Sequence, residues 1–174
     1  NDQAMVTITV EPVNDAPVLD SLGVQVTNED IPLTIMLSAN DIDSDNLIFS
    51  AVSGNPSEVI VENDGNQLTL IPAENWNGTV NISVTVSDGD QEDFEVFALT
   101  VTPINDPPVI SLPDDFTFDE DDSLIEDFNV YLSDLDGDPL ILTFAGNDSV
   151  TVDTNGFEVI FGAMTDWNGT ETLM

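Results

Sequence analysis

Acidic residues stand at regular spacing in two loop-like stretches of this sequence. The clearest examples place aspartate at alternate positions: Asp41, Asp43 and Asp45 in DIDSD, and Asp134, Asp136 and Asp138 in DLDGD. Carboxylates at every second residue of a loop can turn their oxygens toward one cation, as the start of an EF-hand loop does. No apolar helix and no glutamate at the twelfth position complete an EF-hand. The spacing therefore predicts cation binding by a different loop arrangement.

Two other kinds of acidic cluster accompany these loops. TNED contains Glu29, FDED contains Glu120, and SDGDQED contains Asp88 and Asp90. Aspartate, asparagine and glycine also favour turns, so each cluster alone is equally well read as a solvated acidic turn. Repetition of the set along the chain favours calcium.

The composition limits the possible chemistry. The 174 residues include 35 Asp and Glu but no Lys, Arg, His or Cys, which gives a formal net charge of −35. Nucleic acids and anionic membrane surfaces reward Lys and Arg, so we predict neither as a partner, and no direct membrane insertion. Histidine bases, thiolates and disulfides are impossible. The remaining oxygen ligands suit hard cations, above all Ca²⁺.

Several anchors repeat at one interval. Asp15 and Asp106 are 91 positions apart in NDAP and NDPP, as are Glu29 and Glu120, and Trp76 and Trp167. A fixed period of this size predicts a tandem array of small domains. Carboxylate pairs can hydrolyse glycosides, but here they recur in every unit instead of forming one cleft. We therefore predict that the protein is not an enzyme.

The apolar residues alternate with polar ones. TVNISVTVSD, at 79–88, has one face for a core and one for water, and no segment has a helical apolar stripe. Seven strands are predicted in the complete unit, at about 23–28, 31–39, 46–53, 58–62, 67–72, 79–88 and 94–102. The predicted fold class is all-β, with tandem seven-stranded antiparallel Greek-key sandwiches.

The repeat interval also sets the expected domain limits. Residues 1–12 match the last strand of a preceding repeat, 13–103 form one complete repeat, and 104–174 form a second repeat. The second repeat carries counterparts of the first five strands over about 116–163 but lacks the last two. We expect the chain to be a piece of a longer protein.

Successive strands of a sandwich run in opposite directions, so its loops alternate between two ends. One end of the complete repeat should gather the linker Asn14–Asp15, the loop from Asp41 to Asp45, and Asp88 with Asp90. The opposite end should gather Glu29, Glu74 and the linker Asn105–Asp106. Asp134, Asp136 and Asp138 of the next repeat should lie beside that second linker.

Together these features resemble bacterial cadherin-like repeats of large surface and secreted proteins. The linker pattern D-x-N-D-N-x-P is approached by EPVNDAP and TPINDPP, each one Asn short. The D-x-D loop matches Asp41/Asp43 and Asp134/Asp136, and the aspartate after the sixth strand matches Asp88. The strand-A glutamate matches Glu29 and Glu120, whereas the D-x-E element is represented only by Glu74. The resemblance implies calcium at junctions between domains, with fewer ions than a full cadherin linker holds.

The function expected from residues and resemblance is that of a calcium-rigidified repeat of a large extracellular bacterial protein. It would act as an adhesin stalk or as a surface for cell adhesion and self-association. Its partners would be calcium ions, neighbouring repeats, and like modules on other cells. The alternative is a polysaccharide-binding accessory module of a secreted enzyme. A row of exposed aromatic residues would favour that alternative.

Overall fold

The computed structural model describes residues 3–43 and 46–174 and contains two compact units, which divide after Ile104. Both units are all-β, as predicted, and the only helix in the described part of the chain is a 3₁₀ turn. Among those residues, no helix reaches the length and apolar character that crossing a bilayer requires. The predicted domain limits at 12/13 and 103/104 stay a prediction.

Unit 1 is a sandwich of two sheets. Its strands are β1 (Val18–Leu19), β2 (Gln25–Asn28), β3 (Leu33–Met36), β4 (Ala39–Asn40), β5 (Ile48–Ser53), β6 (Val59–Asp64), β7 (Gln67–Pro72), β8 (Gly78–Ser87) and β9 (Glu92–Thr102). The sheet orders are β2-β9-β8-β5 and β3-β7-β6, with β1 and β4 forming a short extra pair. Residues 3–16, which include most of the segment predicted to end a preceding repeat, form no strand.

One pairing differs from the predicted antiparallel pattern. The first predicted strand, at about 23–28, corresponds to β2, which runs parallel to β9, and an additional short strand that was not predicted, β1, pairs with β4. The first and last of seven alternating strands point the same way, so they pair in parallel wherever they become neighbours. Gly23, with φ of +60°, lies between β1 and β2, where a left-handed backbone costs glycine little.

The core of unit 1 follows from the alternation in sequence. Val80, Ile82, Val84 and Val86 on β8 are all buried, and they face the buried leucines of β7, Leu68 and Leu70. Trp76 is half-buried against this core. Burying a side chain of this kind contributes about 1.5–3 kcal/mol, so the two inner faces hold the unit together.

Unit 2 has less regular structure. It contains β10 (Val109–Ile110), β11 (Ser123–Asp127), a 3₁₀ helix (Phe128–Tyr131), β12 (Leu132–Ser133), β13 (Val150–Asn155) and β14 (Glu158–Ala163). The sheets are β11-β14-β13 and β10-β12. Its core is aromatic: buried Phe128 lies 5.6 Å from the ring of Phe116 and 5.4 Å from that of Phe144, measured between ring centroids.

Two strands predicted for unit 2 are not formed. Residues 116–119 and 139–147, the counterparts of β2 and β5, are extended but unpaired as strands. In unit 1 these strands pair with β9 and β8, and the 174 residues contain only the first positions that correspond to β8. Where such a position exists it pairs, because Ala145 and Met174 exchange backbone hydrogen bonds of 2.7 and 2.9 Å. This matches the register of Val52 with Ser83 in unit 1.

Candidate metal centre

The linker before unit 1 is tied to the turn between β8 and β9. The Asn14 side-chain amide donates to Asp88 Oδ2 at 2.8 Å, and the Gln91 amide donates to the Asn14 carbonyl oxygen at 2.8 Å. Asp90 is exposed and contributes its backbone N–H to Asp88 Oδ1 at 2.7 Å. The side of the sandwich that sequence reasoning assigned to Asn14, Asp88 and Asp90 therefore does gather them.

The loop between β4 and β5 meets the same linker. The backbone N–H of Asp15 donates to Asp43 Oδ2 at 2.8 Å, and the N–H of Asp43 donates to Asp41 Oδ1 at 2.7 Å. Aspartates two residues apart form such turns locally, which explains why the D-x-D spacing presents both carboxylates together. Asp45, the third predicted ligand of this loop, lies outside the described residues. We call the cluster of Asn14, Asp15, Asp41, Asp43 and Asp88 the Asp15 end.

Hydrogen bonding holds Asp88 in its ionised form. Its pKa is lowered first by the backbone N–H of Gln91, then by the Asn14 side chain and by the N–H of Asp90. A depressed folded-state pKa stabilises the fold above the unfolded-state value, and that contribution is lost as pH falls through the folded value. The Asp15 end therefore keeps this negative charge well into the acidic range.

The opposite end of unit 1 is built around a buried carboxylate. Glu29 is only 2% exposed, and its oxygens accept from the Ile104 N–H at 2.6 Å and the Asn77 side-chain amide at 3.3 Å. Its own N–H donates to the Thr102 carbonyl at 2.9 Å. Glu74, predicted for this end, is exposed in the loop between β7 and β8. We call this surface, with Glu29 and Glu74, the Glu29 end.

Unit 2 repeats the linker geometry of unit 1 on its own residues. The Asp106 N–H donates to Asp136 Oδ2 at 2.6 Å, the counterpart of the Asp15 contact with Asp43. The Asp138 N–H donates to Asp134 Oδ1 at 3.0 Å. The Asn105 amide donates to the Asp106 carbonyl at 3.0 Å, as the Asn14 amide does to Asp15 at 3.2 Å. The predicted set Asn105, Asp106, Asp134, Asp136 and Asp138 is thus gathered within unit 2.

Glu120 behaves differently from its counterpart Glu29. It is exposed, and one of its oxygens lies 3.4 Å from the side-chain amide of Asn168. Glu29 forms hydrogen bonds with the backbone of Thr102 and Ile104, and positions corresponding to these two residues are not among the 174 residues.

Sequence reasoning missed three groups that organise the two ends: the Gln91 side chain, the Asn77 side chain and the Ile104 N–H. Asn77 carried a usable signal, because WNG recurs 91 positions later with Asn168 in the same role. The position 91 residues after Gln91 lies outside the 174 residues, and a backbone N–H has no sequence signature at all.

The chemistry of both ends follows from their donor atoms. The Asp15 end offers the carboxylate oxygens of Asp15, Asp41, Asp43 and Asp88 with no nitrogen or sulfur ligand, and the chain supplies no cationic side chain to neutralise them. Oxygen-only donor sets fit calcium and magnesium better than zinc or copper. The residues present therefore fit a hard divalent cation.

Comparison with solved structures shows the same fold in known proteins. The human protocadherin-24 EC1-2 structure has a TM-score of 0.51 at 18% identity and covers 88% of this chain and 83% of its own. At that identity, the likeness shows the fold alone.

Two other similar structures come from large glycoside-acting proteins. The endo-fucoidan hydrolase MfFcnA4 of glycoside hydrolase family 107 has a TM-score of 0.42 at 16% identity over 91% of this chain. A putative alpha-galactosidase from Bacteroides fragilis has a TM-score of 0.40 at 10% identity over 53% of this chain. The matched regions span 26% and 19% of those chains, and scores of this size support no functional inference.

Sequence comparisons give a family and no individual relative. No curated protein matches this chain. The family model for the bacterial Ig domain matches twice, over residues 14–100 and 105–174, which together cover most of the chain. The two matches follow the 91-residue repeat, and the all-β sandwich of unit 1 agrees with them. The chain therefore belongs to the bacterial Ig domain family.

Proposed function

We propose that this chain is a calcium-binding, calcium-rigidified repeat module of a large extracellular bacterial protein, acting as an adhesin stalk or a cell-adhesion surface. The observation that carries the proposal is the Asp15 end, where the Asn14–Asp15 linker donates hydrogen bonds to the carboxylates of Asp88 and Asp43, and Asp43 donates one to Asp41, all at 2.7–2.8 Å. Clustered carboxylates repel one another, so a divalent cation is the natural counter-charge.

A second calcium site at the Asn105–Asp106 linker is part of the proposal. The Glu29 carboxylate accepts a hydrogen bond from the N–H of Ile104. The Asp136 carboxylate accepts one from the N–H of Asp106, two residues further along the chain. Two residues span at most about 7 Å, so covalent connection alone keeps both carboxylates close to this linker. The proposed ligands are Glu29, Glu74, Asn105, Asp106, Asp134, Asp136 and Asp138, with Glu120 in the same role at the end of unit 2.

Calcium titration by calorimetry tests the proposal. The wild-type chain should bind with a Kd on the order of 10⁻⁴ to 10⁻³ M, as extracellular calcium modules do. Asp43→Ala should remove the binding at the Asp15 end, and Asp136→Ala that at the second linker. Asp64→Ala, on the exposed end of β6, makes the same charge change away from both ends and serves as the control.

If Asp43→Ala, Asp136→Ala and Asp64→Ala take up as much calcium as the wild type, the clusters are solvated acidic turns. The polysaccharide alternative has less support, because Phe94 is the one exposed aromatic side chain in the described part of the chain.

A further inference from the structure

One broad surface of unit 1 carries almost no charge, although the chain has 35 carboxylates and no cationic side chain. It is the outer face of the sheet β2-β9-β8-β5, and all four strands lie within the described residues. Outward positions alternate with the buried ones, and the only carboxylate among them belongs to Glu92, at the first residue of β9. We name this surface the uncharged face.

The uncharged face is also rich in exposed apolar side chains. Val26, Ile48, Val52, Phe94 and Val96 are 53–67% exposed, and they come from three different strands. Ser83 of β8 pairs with both Val52 and Val96, so the two valines flank it in one row. Hydroxyl and amide side chains of β8 fill the positions between the apolar ones. These groups both donate and accept hydrogen bonds, so they can pair with an identical surface.

The outer face of the other sheet of unit 1 carries more charge. On the outer side of β6, exposed Ile60 is followed at the next two outward positions by Glu62 and Asp64. The lack of charge is therefore a property of one face and not of the strands in general. Exposed apolar residues gathered on one face indicate an interaction site, whereas singly scattered ones do not.

The charge of the chain selects the occupant of this face. Two copies that met through acidic surfaces would place carboxylates opposite carboxylates, with no Lys or Arg to pair with them. A cationic partner would be drawn to the acidic ends instead. We propose that a second copy of this chain docks on the uncharged face, with the two sheets packed face to face about a two-fold axis.

The area of the uncharged face sets the expected affinity of the self-association. The outward positions of β8 from Thr79 to Ser87 extend over about 27 Å, and four strands are about 19 Å wide, so each copy contributes roughly 500 Å². A total near 1,000 Å² is at the low end for specific interfaces. The association should be weak and transient, with a Kd on the order of 10⁻⁴ M. Raising the ionic strength should strengthen it, because salt screens the repulsion between the copies.

This inference deepens the proposed function by naming the surface through which copies meet, but it does not depend on calcium at the Asp15 end. Sedimentation equilibrium of the full 174-residue chain, in calcium and in chelator, distinguishes self-association through this face from calcium binding at the Asp15 end. Concentration-dependent self-association in chelator supports the docking face even if calorimetry finds no calcium. A chain that stays monomeric at millimolar concentration in both buffers overturns it, whatever its calcium uptake.

Two matched substitutions locate the interface. Val52→Asp, on edge strand β5, places a carboxylate within the uncharged face and should weaken self-association by at least about tenfold, because docking would bury that charge with no Lys or Arg to neutralise it. Ile60→Asp, on edge strand β6 of the other sheet, matches it in exposure and should change the Kd by less than about twofold. Equal effects of the two variants would rule the face out.

A second measurement, on the wild-type chain, tests the proposal if Val52→Asp does not fold. Concentration-dependent NMR shifts of the wild type should fall on β5, β8 and β9, and Phe94→Ser, which adds no charge, should reduce them. Shifts confined to unit 2, or to the sheet containing β6, would assign the association elsewhere. If the chain stayed strictly monomeric and bound a neutral polysaccharide on this face, the occupant would be a sugar and not a second copy, and the proposal would be wrong.

Discussion

A buried glutamate in a chain without cations must take its hydrogen bonds from neutral donors. Glu29 accepts from the Ile104 N–H and the Asn77 amide, so a carboxylate at the end of one strand holds the backbone beyond the end of β9. A buried acceptor of this kind leaves its donors unsatisfied when it is removed.

The first prediction at this scale concerns Glu29→Ala. Loss of the carboxylate leaves the Ile104 N–H and the Asn77 amide without their acceptor, at a cost of about 1–3 kcal/mol in the free energy of unfolding. Urea denaturation measures the difference. Glu62→Ala, an exposed carboxylate on β6, removes the same charge and should stay within about 0.5 kcal/mol of the wild type. Equal losses of stability in the two variants would mean that the Glu29 hydrogen bonds are not the source of the effect.

At the scale of elements, the loop before β8 has the same construction in both units. Asp30 and Asn75 have left-handed backbones, and so do their counterparts Asp121 and Asp166, 91 positions later. The Asp30 carboxylate accepts from the Asn75 N–H at 2.9 Å, which fixes the loop that leads to the Trp-Asn-Gly motif. The tryptophan ring then lies over the glycine two residues ahead.

This stacking makes a prediction for Gly78→Ala. A Cβ at position 78 would come within 2.9 Å of Trp76 Cζ2, and the φ of +153° is one that only glycine adopts readily. We expect the ring to be displaced and the free energy of unfolding to fall by about 1–3 kcal/mol. Tryptophan fluorescence during urea denaturation reports both effects. Asn81→Ala, at an exposed outward position of β8, should leave both nearly unchanged, and wild-type behaviour of Gly78→Ala would contradict the contact.

At the scale of the whole molecule, charge decides the behaviour. A formal charge of −35 without any internal cation opposes the compact state, so stability should depend on what neutralises the carboxylates. If calcium has the affinity proposed above, 10 mM calcium adds roughly 1.4–2.7 kcal/mol per site by mass action.

The corresponding prediction is a rise in Tm of several degrees in calcium relative to chelator. Sodium chloride at matched ionic strength should give a smaller rise, because it screens charge without binding specifically. Scanning calorimetry measures both, and small-angle scattering tests whether calcium narrows the range of shapes that the two units adopt. Identical melting curves in calcium and matched sodium would leave screening as the whole effect.

The sequence by itself determined the all-β fold class and the approximate positions of most strands of unit 1. Alternation of apolar residues marks the inner face of a sheet. A fixed spacing of 91 residues distinguishes repeated features from coincidental similarities, so both can be recognised without coordinates. The gathering of Asn14, Asp15, Asp43 and Asp88 followed from the alternating direction of strands alone. The same spacing marked Trp76 as a repeated position, and the structure packs it against the core of unit 1.

Only the tertiary structure decided which contacts those features make. Strand pairing is a relation between distant segments, so the sequence of 139–147 could not reveal that this apolar alternating run forms no strand. The parallel pairing of β2 with β9 required knowing where the first strand crosses between sheets. The role of the Ile104 N–H beside Glu29 was equally hidden, because backbone groups are identical at every position and only the fold determines which one meets a buried carboxylate.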